Sequence, residues 1–248
     1  MLAIYKKELR SYFINPIGYV YVGIFLCVAA VLFCLTTVMS GTYDTSSYFL
    51  YMLFAFVVLL PLLTMRLFAE ERKLRTEQLL LTAPVTITGM VAGKFFAALT
   101  LFASTLAVSC INLIPLYVIA DAERAGLEYD FYHIGPVTGQ VVGCLVSLLL
   151  VGAAFIAIGT FISALTENQL AAAVITVSVI VAMVGISALN AFIDVYWLRE
   201  AISFVCIFSR FANFTSGLFD FAAVFYYASL TFVFLFLTVR VYEKRRWG

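Results

Sequence analysis

The residues that could do chemistry are few and poorly spaced for it. His133 is the only histidine among 248 residues. A zinc site of the H-E-x-x-H kind, which needs two imidazoles on one helix face, is therefore impossible, and a Ser-His pair inside an apolar run is disfavoured. Five cysteines, Cys27, Cys34, Cys110, Cys144 and Cys206, show no C-x-x-C spacing and lie mostly in apolar stretches. They read as small buried hydrophobes rather than disulfides or metal ligands. Asp194 and Asp220 are single carboxylates in loop-like sequence, not a catalytic dyad. Gly89-Met90-Val91-Ala92-Gly93-Lys94 approaches a phosphate loop. Its spacing is one residue short, Phe95 stands where Ser or Thr would meet Mg2+, and no strand precedes it. The chain therefore reads as non-catalytic, without a metal and without a cofactor of its own.

Composition decides what kind of element could position any such group. Hydrophobic residues make up 64%, aromatic residues 16% and charged residues 12%, and the mean hydropathy is +1.07. Soluble domains average roughly 45–50% apolar and about 25% charged residues. A soluble body of this size has too little interior to hide so much apolar side chain, so much of it must face lipid. That excludes a soluble globular enzyme, a disordered chain and a nucleic-acid binder. Fifteen Lys and Arg against fourteen Asp and Glu say nothing about partners until they are sorted by position.

Six runs reach the roughly 17–25 residues a transmembrane helix needs: Ile17–Met39, Phe49–Met65, Phe95–Ile119, Val141–Leu165, Leu170–Leu189 and Phe221–Val239. None contains Asp, Glu, Lys or Arg. Continuous apolar runs of this length do not fit the alternating segments of about 10 residues found in membrane barrels. The expected fold is all-α: a six-transmembrane-helix bundle forming one domain over residues 1–248, with an N-terminal amphipathic helix and a re-entrant or interfacial outer segment. Ion-driven carriers keep ionisable groups at membrane depth, and six charge-free spans argue against that class.

Orientation follows from the cations. Lys6, Lys7, Arg10, Arg66, Arg72, Lys73, Arg75, Lys94, Arg240, Lys244, Arg245 and Arg246 fall on one side, twelve of the fifteen. Arg124, Arg199 and Arg210 fall on the other, beside the acidic Asp121, Glu123, Glu128 and Asp130. Both termini are expected in the cytoplasm. The basic start and first apolar run resemble a signal peptide, but the run is too long for a 7–15-residue core and no clean small-x-small site follows. An uncleaved helix is expected.

Residues 1–15 form an amphipathic surface helix in this reading, with Leu2, Tyr5, Leu9, Tyr12 and Phe13 on one face and Lys6, Lys7 and Arg10 on another. Asn15-Pro16 ends it. Residues 70–86 read as a cytoplasmic helix with Glu71–Arg75 and Lys73–Glu77 as i,i+4 pairs, a stripe of Leu67, Leu74, Gln78 and Leu81 widened by Leu80, and a stop at Pro84. Charged on one side and apolar on the other, it suits packing against a second protein at the membrane surface. Gly135, Gly139, Gly143, Ser147, Gly152, Gly159 and Ser163 form small-residue rows that bring backbones close in lipid. Ser104, Thr105, Ser109, Asn112, Thr176 and Ser178 are candidates to line a weakly polar pathway. Residues 190–220 are aromatic-rich with charges interleaved, as suits an interfacial or re-entrant segment.

Along its length the chain resembles an ABC-2 type transporter permease, closest to the short gliding-motility-type branch. Lys6-Lys7-Glu8-Leu9 with Asn15-Pro16 resembles that family's amphipathic connecting helix. Glu70-Glu71-Arg72-Lys73, Thr76-Glu77-Gln78-Leu79-Leu80-Leu81-Thr82-Ala83-Pro84-Val85 and Gly93-Lys94 resemble its first coupling helix and the approach to the third span. Ser163-Ala164-Leu165-Thr166-Glu167-Asn168-Gln169 resembles the second cytoplasmic turn. Phe211, Phe214, Gly217, Asp220, Leu237-Thr238 and Arg245-Arg246-Trp247 resemble its last stretch. The chain departs from the pattern at Leu74-Arg75, where the family carries a small residue and a glycine; two good helix formers there suggest a longer or differently angled coupling helix.

The resemblance implies a transmembrane exporter subunit in a bacterial cell membrane. It implies a homo- or heterodimer with a second permease, in membrane lipid and without nucleic acid. Two cytoplasmic ABC ATPase subunits carry the ATP and Mg2+. It places the docking on Glu70, Glu71, Arg72, Arg75, Thr76, Glu77, Leu80, Leu81 and Pro84, with Thr166, Glu167 and Asn168 as the lesser contact. A membrane anchor or scaffold for a cytoplasmic ATPase complex, without transport, is the alternative reading.

Overall fold

The computed structural model describes residues 1–78, 85–125, 135–189 and 207–247. Leu80, Leu81, Pro84, His133, Asp194 and Cys206, on which several expectations fell, lie outside the described residues. Among the described residues every regular element is helical and no strand occurs.

Helix α1 (Leu2–Ile14) is separated from α2 (Pro16–Phe33) by Asn15 alone. Asn15 is extended, with φ −81° and ψ 143°, as the residue before a proline prefers. Pro16 takes the first helical position, where its missing N–H has no partner to lose. A π turn, Cys34–Val38, continues α2. There follow α3 (Ser46–Thr64) and the short α4 (Ala69–Lys73). Thr86 then caps α5 (Ile87–Ser109), its hydroxyl accepting from Gly89 N. After a 3-10 turn at Cys110–Leu113 comes α6 (Ile114–Ala125). The remaining helices are α7 (Thr138–Leu165), α8 (Gln169–Leu189), α9 (Ile207–Thr215) and α10 (Phe221–Trp247).

Six helical stretches are long and apolar enough to span a membrane. The third departs from the expected Phe95–Ile119. It begins at Ile87 because Lys94, read as a flanking charge, is taken into the helix and buried. It is not one regular helix, because Pro115 removes an N–H and crowds the carbonyl four residues back, and the chain tightens into the 3-10 turn just before it.

Helix α7 is the post around which the others assemble, packing against α3, α5, α8, α9 and α10. Its apolar window is 67% buried, against 17% for those of α8 and α10. The bulk of the uncovered apolar surface therefore lies on α8, α10 and α2. Two glycines of the small-residue row let α7 approach its neighbours. A Cβ on Gly152 would strike the Phe102 ring of α5, and one on Gly159 would sit 2.8 Å from Thr64 Cβ of α3. Gly139 has open space instead, so the row serves close contact only where α3 and α5 cross. Phe25, Phe56 and Phe102 fill the centre with ring centroids 5.1–6.2 Å apart, in the tilted and edge-on geometries aromatic pairs favour.

The end of the bundle away from α4 is tied by Gln140, whose Nε2 donates to Ser46 Oγ and Thr215 O at 2.6 Å each. Of the expected aromatic outer segment, α9 buries Phe211 and Phe214 against the bundle, while Phe219 remains exposed. The expected apolar face of α1 needs correction. Ile4 and Tyr12 are buried, whereas Leu2 and Phe13 are exposed, because α1 lies against α5 along a line shifted from the predicted stripe.

Candidate docking site at the basic end of the bundle

The helix expected across residues 70–86 is interrupted: α4 ends at Lys73, a turn takes Leu74–Thr76, and Glu77 and Gln78 are helical again, with residues 79–84 outside the described residues. Arg75 N donates to Arg72 O at 3.1 Å and Thr76 N to Glu71 O at 2.9 Å, with Arg75 at φ 55°. This pair of bonds is a Schellman closure, which needs a left-handed residue just beyond the helix and is normally supplied by glycine. The same closure ends α9, where Gly217 takes φ 77°. Leu74-Arg75 therefore does not lengthen the helix. The chain makes the turn anyway and holds an arginine in the conformation a glycine would adopt freely.

That break removes the predicted i,i+4 pairs, and the charges find partners on other helices. Glu71 meets Lys7 of α1 at 3.2 Å and Lys94 of α5 at 2.9 Å. Glu8 of α1 reaches the same Lys94 at 3.2 Å. Lys94 is 1% exposed, donates to Leu67 O at 2.6 Å and lies 4.9 Å from the centre of the Phe68 ring. A buried ammonium is tolerated only when paired and hydrogen-bonded, and here all three donors have an acceptor. Burial pulls the Lys7 ammonium down, but the Glu71 and Glu8 carboxylates outweigh it and hold its pKa above the ordinary 10.5.

Further along, Arg72 pairs with Glu167 at 2.7 Å and donates to Leu165 O at 3.0 Å. Glu77 pairs with Arg245 of α10 at 3.0 Å, and Arg245 also donates to Ala164 O at 2.7 Å. Arg66 and Glu70 pair at 3.2 Å. Ser163 of α7 accepts from Phe68 N and Ala69 N at 3.1 Å and donates to Met65 O, satisfying backbone groups that the break between α3 and α4 would strand. Asn168 opens α8, its side chain accepting from Leu170 N.

The predicted docking residues thus divide into two sets. Glu70, Glu71, Arg72 and Glu77 turn toward the bundle and are half-buried in ion pairs, whereas Arg75 and Thr76 are exposed together with Lys73 and Leu74. The predicted stripe also separates, since Leu67 is buried and Leu74 is 64% exposed. The Arg72–Glu167 pair joins the first predicted segment to the second. The sequence reading missed Lys7, Glu8, Lys94, Ser163 and Arg245 as parts of this site; the one usable signal was a lone lysine, Lys94, ahead of a long apolar run.

The candidate pathway hydroxyls have local partners. Ser104, Thr105, Ser109, Thr176 and Ser178 each donate to a carbonyl three or four residues back in their own helix, at 2.6–2.8 Å. Thr105, Ser109 and Thr176 are buried, Asn112 is half-buried, and Ser104 and Ser178 are exposed. Among the described residues no group of three or more His, Cys, Asp or Glu is placed to hold a metal ion. The chemistry of the site is charge pairing and anchoring. Comparison of the chain with protein-family models and with curated proteins finds no match.

Proposed function

We propose that this chain is the transmembrane subunit of an ATP-driven ABC-type exporter, receiving the motion of two separate cytoplasmic ATPase subunits at the turn Lys73–Thr76. The carrying observation is the division of that segment. Its inner residues are held by ion pairs to α1, α5, α10 and Glu167 in the turn between α7 and α8, and by a hydrogen bond to Leu165 O of α7, while four consecutive residues are presented outward. A segment that transmits force needs rigid attachment to what it moves and a free face for what moves it. A solvated loop would have the free face without the attachment. On this reading the basic end faces the cytoplasm by the distribution of Lys and Arg, and the chain sits in a bacterial cell membrane, paired with a second permease. ATP and Mg2+ belong to the partners. Thr166, Glu167 and Asn168 then follow the same movement through Arg72.

The test is isolation of the full chain from its native membrane in mild detergent. An ATP-hydrolysing subunit is expected to co-purify, and Leu74→Asp/Arg75→Glu is expected to release it while leaving the unfolding temperature of the permease nearly unchanged. Retention of that subunit by the double variant, or co-purification with no ATPase, overturns the reading.

A further inference from the structure

A cavity of about 270 Å3 opens between α1, the end of α3 and α4, next to the docking turn. Pockets for small ligands run roughly 300–1,000 Å3, so this one is the size of a headgroup rather than of a whole amphiphile. We propose that it holds the phosphoethanolamine group of a membrane lipid. The inference depends on the membrane setting of this end of the bundle and not on any ATPase partner.

Arg66 carries the argument. Its side chain is 8% exposed and lines the cavity. Nε meets Glu70 Oε2 at 3.2 Å and the Tyr12 ring lies 5.7 Å from the guanidinium carbon, but Nη1 is buried without a hydrogen-bond partner among the described residues. Buried donors on charged groups are costly to leave unmatched, and protein structures almost always give them an acceptor. A phosphate oxygen is an acceptor that a guanidinium edge suits, as a carboxylate is. Ser11 and Asn15 line the same cavity, half-buried. Asn15 sits between two helices without spending its side chain on capping either.

Charge balance selects the rest of the headgroup. The cations in the wall are Lys7, Arg66 and Lys94, and the carboxylates are Glu8, Glu70 and Glu71. Lys7 and Lys94 are committed to Glu8 and Glu71. What remains is the Arg66 edge beside Glu70, whose Oε1 is a further acceptor. An anionic headgroup would face the carboxylates uncompensated. A zwitterion with a primary ammonium puts its phosphate at Arg66 and its N–H donors at Glu70. A quaternary ammonium has no N–H to give.

Depth supports a lipid source. Asn15-Pro16 marks the passage from the surface helix to the first span, which is the headgroup layer. A shallower depression shares Lys7 and Ser11 with the cavity and adds Lys6 and Arg10, cations suited to lie along a phosphate-bearing surface.

The test is native mass spectrometry of the purified full chain titrated with phosphatidylethanolamine, phosphatidylcholine and phosphatidylglycerol, with free phosphoethanolamine and inorganic phosphate as soluble competitors. One phosphatidylethanolamine is expected to be retained about tenfold more tightly than either other lipid. Arg66→Lys, which keeps the charge and loses the second N–H edge, is expected to remove that preference, and Asn15→Ala to weaken it several-fold, both with wild-type unfolding temperatures. Equal retention of the three lipids, or a preference unchanged by both variants, overturns the proposal. Binding of free phosphoethanolamine with no retained lipid overturns the membrane as its source.

Discussion

Lys94 Nζ lies 2.9 Å from Glu71 Oε2 with its side chain 1% exposed, so the third span and α4 share a buried ion pair. Because Glu8 holds the same ammonium from α1, three segments far apart in sequence meet at one charge. Removing both carboxylates leaves that charge unmatched. Glu8→Gln/Glu71→Gln is expected to cost about 3–5 kcal/mol, and adding Lys94→Met should restore most of it. Detergent unfolding monitored by helicity checks the cycle.

Arg75 at φ 55° gives a prediction of opposite sign. A left-handed conformation costs an L-residue about 1–2 kcal/mol, and glycine is free of that cost while losing more chain entropy on folding. Arg75→Gly is expected to stabilise the turn by up to ~1 kcal/mol and Arg75→Val to destabilise it. Hydrogen exchange at Thr76 N, which closes the turn on Glu71 O, reads both.

Crossing points on α7 are expected to be intolerant of a single methyl. Gly159→Ala meets Thr64 and Gly152→Ala meets Phe102; each is expected to cost about 1–3 kcal/mol. Gly143→Ala, whose nearest neighbour would be Phe214 Cδ1 at 3.8 Å, is expected to gain up to ~1 kcal/mol from helix propensity. Thr64→Ala, which removes the hydroxyl and methyl that crowd the added Cβ, should recover part of the Gly159→Ala loss. Thermal unfolding separates the four variants.

At the opposite end, Asp220 caps α10 by accepting from Ala222 N and Ala223 N. The Asn213 amide, with these backbone donors and Arg210, holds its carboxyl below the ordinary 3.8 against the effect of burial. A folded value lower than the unfolded one means the cap contributes fully above pH 3.8 and is lost as pH falls through the folded value. Asp220→Ala is expected to cost about 0.5–2 kcal/mol and to remove that acid dependence. Amide exchange in the first turn of α10 across pH 2–5 is the readout.

The spans were legible because long apolar runs without charge have one stable solution in lipid. Lys94 was misplaced because a sequence shows a charge at a boundary but not the carboxylates that Glu8 and Glu71 bring to it from elsewhere. The 70–77 segment misled for a related reason. Its charges fit helical pairing, and only the three-dimensional competition for Glu71 and Glu77 by Lys7, Lys94 and Arg245 makes the break at Arg75 the better arrangement. The resemblance pointed to residues 70–84 as the expected docking stretch, and the division of its described residues into an anchored side and an exposed turn needed the packing.

The central claim is that Lys73–Thr76 meets a cytoplasmic ATPase. A photo-crosslinking side chain at Leu74, 64% exposed, and another at Leu218, 67% exposed at the opposite end, test it in native membranes. The account predicts a protein adduct from the Leu74 position that contains an ATP-binding subunit, and none from the Leu218 position. Lipid adducts alone at Leu74, or the same ATP-binding subunit captured from both positions, would contradict it.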